Sequence, residues 1–239
     1  MTWSIVAHEP ATGAFAVAVT TCSFAVGANC PYVRSGVGAV STQSLTNRYL
    51  GPAVLDAMER GLAPADAIEV ALGPDEGRHL RQVHAVDRLG RTAAWTGRHC
   101  VTWCGERTAE HVSVAGNMLA GSEVVGATFD TFQARVDLEL PERLMAALEA
   151  GEASGGDRRG RQSAAMLLTT TEVFPDLDIR VDDHAEPLPE LHRLLVLWSR
   201  HWPSRQAWSP SKANPSGMTD LDTIEAAWKA QGLDIRFRR

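Results

Sequence analysis

Lysine is almost missing from this chain. Of 239 residues only Lys212 and Lys229 are lysines, and arginine carries the remaining positive charge. The long stretch before Lys212 therefore has no lysine to act as a general base, to form an imine with pyridoxal phosphate or to grip a phosphate in a P-loop. Basic charge as a whole is in deficit. Lys+Arg is 23 against Asp+Glu 29, a net charge of −6, which argues against a nucleic-acid partner. No apolar run approaches the ~20 residues that span a bilayer, so no membrane partner is expected. The first residues lack a basic segment followed by an apolar core, and a cytoplasmic location is the expectation. No GxSxG, GxGxxG or HExxH pattern occurs. Neither a nucleotide cofactor nor a bound metal is expected. Cysteine is sparse: Cys22, Cys30, Cys100 and Cys104. In a reducing compartment these read as free thiols. Cys100 and Cys104 have zinc-like spacing, but no second pair completes a tetrahedral set.

What is present is an ordinary globular composition, 44% hydrophobic and 22% charged, in a chain long enough for a sizeable core. Residues 2–8 alternate, with Trp3, Ile5 and Ala7 on one face and Thr2, Ser4, Val6 and His8 on the other. That period of two predicts a strand. Turn chemistry from Glu9 to Gly13 leads to a second strand at 14–21, giving a hairpin at the start of the chain. A buried strand is expected at 36–43. Helices are expected at 52–60 and from Pro64 to about 72. Strands follow at 81–96, 101–104 and 110–116, then helices at 122–135 and 141–150, strands at 162–170 and 177–182, and a helix at 188–201. Residues 203–220 read as linker, and Asp220 is the candidate cap of a last helix at 221–231. The expected division is a domain at 1–202 and a linker with a helical tail at 203–239. Runs of strands between helix pairs predict an α+β fold rather than a doubly wound parallel sheet.

Four segments carry candidate chemistry. Thr2 becomes the first residue if Met1 is removed, which a small second residue permits. A terminal threonine has a hydroxyl and an amine on adjacent carbons, and the amine, with a pKa near ~7.7, can take the hydroxyl proton. Asn117, in Gly116–Gly121, can donate to an oxyanion, or can serve a strand-to-helix turn with Ser122 as cap. Gly155–Ser163 crowds Asp157, Arg158, Arg159, Arg161 and Gln162 into one loop. Arginine forks there suit a substrate carboxylate, and Asp157 can pair with them or orient the amine of Thr2, against the alternative of a solvated basic loop. Ser41–Asn47, with Gln43, can line a pocket or make turn hydrogen bonds. His84, His111 and His184 read as hydrogen-bonded structural residues.

Several of these segments together resemble a known family. They are Thr2–Ala7 with Pro10 and Gly13, Phe24–Gly27, Gly36–Gln43, Gly116–Leu119 and Gly155–Ala164. In order and spacing they are similar to the family called domain of unknown function 1028, over about residues 2–200. That family is grouped with the N-terminal nucleophile (Ntn) hydrolases. The resemblance implies a four-layer αββα sandwich of two mainly antiparallel sheets, with the N-terminal strand central and Thr2 as nucleophile. Some Ntn relatives place a lysine near the nucleophile; this chain has none there, so the base must be the α-amine. The expected activity is hydrolysis of a small amide, ureido or peptide-like C–N bond. Thr2, Asn117 and Asp157 would be catalytic, and Gln43, Arg158, Arg159 and Gln162 would bind a small-molecule substrate carrying a carboxylate. The alternatives are a non-catalytic binding or scaffold protein of the same fold, and thiol chemistry at Cys22. Homo-oligomerisation is left open.

Overall fold

The computed structural model describes residues 2–232, and among these there are ten strands and six α-helices. The chain divides into two compact units, one through Arg193 and one from Leu194.

The first unit begins with the expected hairpin. Strands β1 (Thr2–Glu9) and β2 (Ala14–Thr21) pair antiparallel, with Trp3 opposite Thr20 and Val6 opposite Val17. The turn between them uses Gly13 at φ 72°, a left-handed conformation that costs a glycine little. Strands β3 (Pro31–Arg34) and β4 (Gly38–Ser44) follow, then helices α1 (Leu50–Glu59) and α2 (Pro64–Leu72). Next come β5 (Arg81–Asp87), β6 (Thr92–Thr96), β7 (Gly105–Ala109) and β8 (Val112–Asn117). Helices α3 (Ser122–Ala134) and α4 (Leu140–Ala153) lead to β9 (Ser163–Thr169) and β10 (Leu177–Val181). The strands form two antiparallel sheets, one ordered β10-β9-β2-β1-β8-β7 and the other β3-β4-β5-β6.

The alternation within each strand explains the layers. On β1, Trp3 faces α4, where an added Cβ on Gly151 would stand 2.9 Å from the Trp3 indole nitrogen. Glycine at that point lets the helix lie directly on the sheet. The other face of β1 turns inward. Val6 packs with Phe15 and Val17 of its own sheet and with Ala39 and Val86 of the facing sheet. Beyond that second sheet, Val54, Leu55 and Met58 of α1 and Ile68 and Leu72 of α2 bury against Val40 and Val83. Each such side chain contributes roughly 1.5–3 kcal/mol on burial. Two sheets packed face to face, with a helix pair outside each, make the α+β sandwich.

Three differences from the expected elements have local causes. β3 is only four residues, with one buried side chain, too short for a periodicity to register. Residues 101–104 are not a strand; Val101 and Trp103 instead offer their carbonyls to the N–H groups of Met118 and Leu119. Helix α3 is capped by Gly121, with Ser122 inside its first turn and bonded to Glu123.

The second unit starts within α5 (Pro187–Gln206), a helix longer than the 188–201 expected. It includes α6 (Leu221–Ala230), whose N-cap Asp220 accepts the Asp222 N–H at 3.1 Å. Most of the expected linker, from 207 to 220, is irregular, and the last residue expected in the final helix, Gln231, is its C-cap.

Candidate functional site

One end of the sandwich gathers the polar residues. There β1 begins, β2, β4 and β8 end, and β5 and β9 start. Thr2 lies between two neighbours: it pairs with Asn117 of β8, and its hydroxyl donates to Thr21 Oγ1 of β2 at 3.2 Å. Thr2 is 6% exposed, on the face of β1 that looks toward the other sheet.

From Thr2 a polar seam runs inward between the sheets. The Asn117 amide donates to Gln82 Oε1 at 3.0 Å and to the Thr2 carbonyl at 3.4 Å. Gln82 Oε1 also accepts from Gln43 Nε2 at 2.9 Å. Gln43 in turn donates to the Ala115 carbonyl at 3.1 Å and accepts from Ser4 at 2.7 Å. Ser4 Oγ lies 2.7 Å from His84 Nε2, and His84 Nδ1 lies 3.0 Å from Ser113 Oγ. Gln82 Nε2 fixes its own end on the Gly116 carbonyl at 2.8 Å and Thr96 Oγ1 at 2.9 Å. Ser4, Gln43, Gln82, His84 and Ser113 are fully buried. Burial away from charge drives the His84 pKa down to about 3, so the ring is neutral, one nitrogen accepting and the other donating.

The glycine-rich loop closes the other side. Gly155, Gly156 and Gly160 have φ of 113°, 51° and 115°, which only glycine adopts readily. They turn Asp157 inward beside the end of β2. Its carboxylate accepts the Cys22 N–H and the Arg159 N–H, each at 2.8 Å, and pairs with the Arg159 guanidinium at 3.2 Å.

The structure therefore brings Thr2, Asn117 and Asp157 to one end, with Gln43 across the gap between the sheets. Each side chain there has definite partners, and for Asp157 they include a loop arginine, one of its two expected roles. Asn117 turns its amide into the seam and toward the Thr2 carbonyl. Gln43 is enclosed with its amide satisfied. Asp157 clamps Cys22 and Arg159. Arg161 pairs with Glu152 and Glu186, and Gln162 donates to Asp183 at 3.0 Å. Arg158 is exposed and makes no ion pair among the described residues. Cys22 is half-buried at the same end, next to Thr21. Thr21, Ser4 and Gln82 were not singled out from the sequence. Their signal is a polar residue at the inward phase of an otherwise apolar strand, as in Thr2–Ala7 and Arg81–Val86.

All four cysteines are free, and among the described residues no group of three His, Cys, Asp or Glu side chains is arranged to hold a metal ion. No described helix is long and apolar enough to cross a membrane.

Over residues 2–191 the sequence matches the model of the family described as "Family of unknown function (DUF1028)". The chain belongs to the DUF1028 family. Among solved structures it is similar to that of protein SPO2555 from Silicibacter pomeroyi, also described as DUF1028. The identity is 32% and the TM-score 0.85, over 92% of this chain and 96% of that one. A far weaker likeness, 11% identity and TM-score 0.38 over 87% of this chain and 98% of that one, is to Anbu, an ancestral β-subunit from Yersinia bercovieri. A search of curated proteins gives no match.

Proposed function

We propose that this DUF1028 protein is an amidohydrolase of the N-terminal nucleophile type, cleaving a small amide, ureido or peptide-like C–N bond with Thr2. The observation that carries the reading is the position of Thr2: first residue of a central strand, hydroxyl 3.2 Å from Thr21 Oγ1, carbonyl held by Asn117. The reading requires that whatever precedes Thr2 be removed, leaving its α-amine free.

In the reaction Thr2 Oγ1 attacks the substrate carbonyl carbon and its proton passes to the α-amine. The tetrahedral intermediate collapses, the amine returns the proton to the leaving nitrogen, and the C–N bond breaks. A water molecule, deprotonated by the amine, attacks the resulting ester and releases a carboxylic acid and free Thr2. Backbone N–H groups stabilise the oxyanion, since both Asn117 amide hydrogens already have acceptors. Asn117, Gln82 and Gln43 act as positioning residues for Thr2, and Asp157 fixes the Cys22 side of the site. Arg158, without an ion partner among the described residues, is the loop arginine available to a substrate carboxylate.

A second reading is favoured by one observation: the Cys22 thiol is half-buried at this same end, with its backbone anchored on Asp157. A panel of ureido acids, carbamoyl compounds and γ-linked amides separates the readings. Thr2→Ala is expected to abolish turnover, Thr2→Ser to retain part of it, and Cys22→Ala to leave it in place. Full activity in Thr2→Ala with loss in Cys22→Ala reverses the assignment. No turnover of any member by wild type favours a binding or scaffold protein.

A further inference from the structure

The seam between the sheets decides which end of Asn117 faces the site. Three carboxamides meet there, and the two ends of a carboxamide differ in what they can bond: the nitrogen donates, the oxygen accepts. Gln43 is oriented by the Ala115 carbonyl, which takes its Nε2 at 3.1 Å. Gln82 is oriented by the Gly116 carbonyl, which takes its Nε2 at 2.8 Å. Gln82 Oε1 is therefore the atom that accepts Gln43 Nε2 at 2.9 Å and faces Asn117 at 3.0 Å. An Asn117 oxygen turned that way would oppose both Gln82 Oε1 and the Thr2 carbonyl. Asn117 must present its nitrogen, and both protons of that nitrogen are committed to these two acceptors.

The carboxamide oxygen is what remains. Asn117 Oδ1 receives no hydrogen bond among the described residues, although the residue is only 2% exposed. Nor is the atom sealed in, as the partnerless Trp3 indole nitrogen is. Asn117 and Thr2 are direct cross-strand partners in β8 and β1, so their side chains rise next to each other from one face of the sheet. Nδ2 is turned inward to Gln82 of the facing sheet, and the planar group carries Oδ1 on its other arm, beside Thr2. The strand end is fixed as well. The Met118 N–H donates to the Val101 carbonyl at 2.7 Å and the Leu119 N–H to the Trp103 carbonyl at 2.9 Å, with Met118 held at φ 58°. A nearly buried acceptor, held in place and without a donor, is satisfied only when a ligand brings one.

We propose that Asn117 Oδ1 is a specificity-determining acceptor of the site: it takes an N–H attached next to the substrate carbonyl and so selects ureas and N–H amides over their fully N-alkylated counterparts. The proposal rests on the Thr2 reading only for the place of that carbonyl. An oxyanion, the ligand expected for Asn117 from the sequence, would be repelled by this oxygen. An analogue without the N–H leaves Oδ1 unpaired, and a site built around a polar contact rejects such an analogue more strongly than an apolar pocket rejects a change of size.

The test is a proton–nitrogen NMR titration of the full chain with methylurea and with tetramethylurea, a urea that has no N–H. The reporter is the Asn117 carboxamide signal, identified by sequential assignment. Methylurea is expected to shift it saturably, and tetramethylurea to need at least about a tenfold higher concentration for the same shift, the factor that one unpaired buried contact supplies. Asymmetric dimethylurea, bulkier but still an N–H donor, is expected to follow methylurea. In folded Asn117→Ala the backbone amides of Thr21 and Cys22 are expected to respond to methylurea and tetramethylurea alike. Thr2→Ala is expected to keep the wild-type discrimination, and no turnover is needed. A catalytic failure of Thr2 therefore leaves this result standing, and a failure here leaves the Thr2 assignment standing. An Asn117 signal that moves equally with methylurea and tetramethylurea, or with neither, would overturn the proposal on wild type alone. So would dimethylurea behaving as tetramethylurea does, or a discrimination that survives in folded Asn117→Ala.

Discussion

Replacing Gln82 by methionine tests whether the seam between the sheets holds the strand ends in place. Methionine keeps nearly the same length and volume, so little cavity forms and the loss is polar. Gln82 Nε2 gives up its bonds to the Gly116 carbonyl at 2.8 Å and Thr96 Oγ1 at 2.9 Å. Its Oε1 abandons Gln43 Nε2 at 2.9 Å and Asn117 Nδ2 at 3.0 Å. Gln43 still reaches the Ala115 carbonyl and Asn117 the Thr2 carbonyl, so each retains one acceptor and loses the other. A net buried hydrogen bond contributes about 1 kcal/mol and an orphaned buried group costs about 1–3 kcal/mol. With several groups affected and partial compensation, the expected loss is about 2–4 kcal/mol. For a chain of this size that corresponds to a fall of roughly 5–15 °C in Tm. Urea unfolding followed by circular dichroism measures it, with an unchanged m-value expected. Asn117→Leu in the same background should be non-additive with Gln82→Met, because the two side chains share a bond. A loss below about 0.5 kcal/mol, the level of a neutral surface change, would refute the seam as a structural element.

Three further outcomes follow from the same structure. His84 has a folded pKa pushed down to about 3 against an ordinary 6.5, so the unfolded chain takes the proton first. Its contribution is complete above pH 6.5 and is lost as pH falls from there toward 3, by about 1.4 kcal/mol per unit. Urea unfolding at pH 7 and pH 5 should differ by about 2 kcal/mol, and His84→Gln should flatten the difference. The partly buried His8, also shifted downward, adds in the same direction, whereas Asp75, lowered to about 2 by Arg81, acts only below its ordinary 3.8. Gly151→Ala should destabilise by at least about 1–3 kcal/mol in the same assay, since the new methyl would meet Thr128 Oγ1 at 2.2 Å and Trp3 Nε1 at 2.9 Å. Cys30, buried with its thiol pushed up to about 12, should resist iodoacetamide at pH 8 long after half-buried Cys22 has reacted, as peptide mapping would report.

The parts of the fold that local chemistry dictates were readable in advance. The first hairpin announced itself by strict alternation around a Gly13 turn, α2 by Pro64 at its start, and α6 by Asp220. The short β3 and the irregular 101–104 segment were not, because one has too few residues for a period and the other is held by bonds to Met118 and Leu119 that only the fold creates. The site shows the same division. That Thr2, Asn117 and Asp157 meet could be expected from strand ends and a glycine-rich loop. The pairing of Asp157 with Arg159 lies within the loop and was one of its two readings, whereas the turn of Asn117 into a seam with Gln82 and the capture of Arg161 by Glu152 and Glu186 depend on residues from other elements. Which polar group is free and which is committed emerges only when the two sheets close on each other.

The central claim is that Thr2 works through its own free amine, and the intact mass of the purified, active protein tests it most directly. The account predicts a mass short of the full translated chain by the part preceding Thr2, with threonine as the first residue by N-terminal sequencing. Protein that retains Met1 on Thr2 and still turns over substrate at the full rate would contradict it, because the nitrogen would then be an amide that cannot accept the hydroxyl proton.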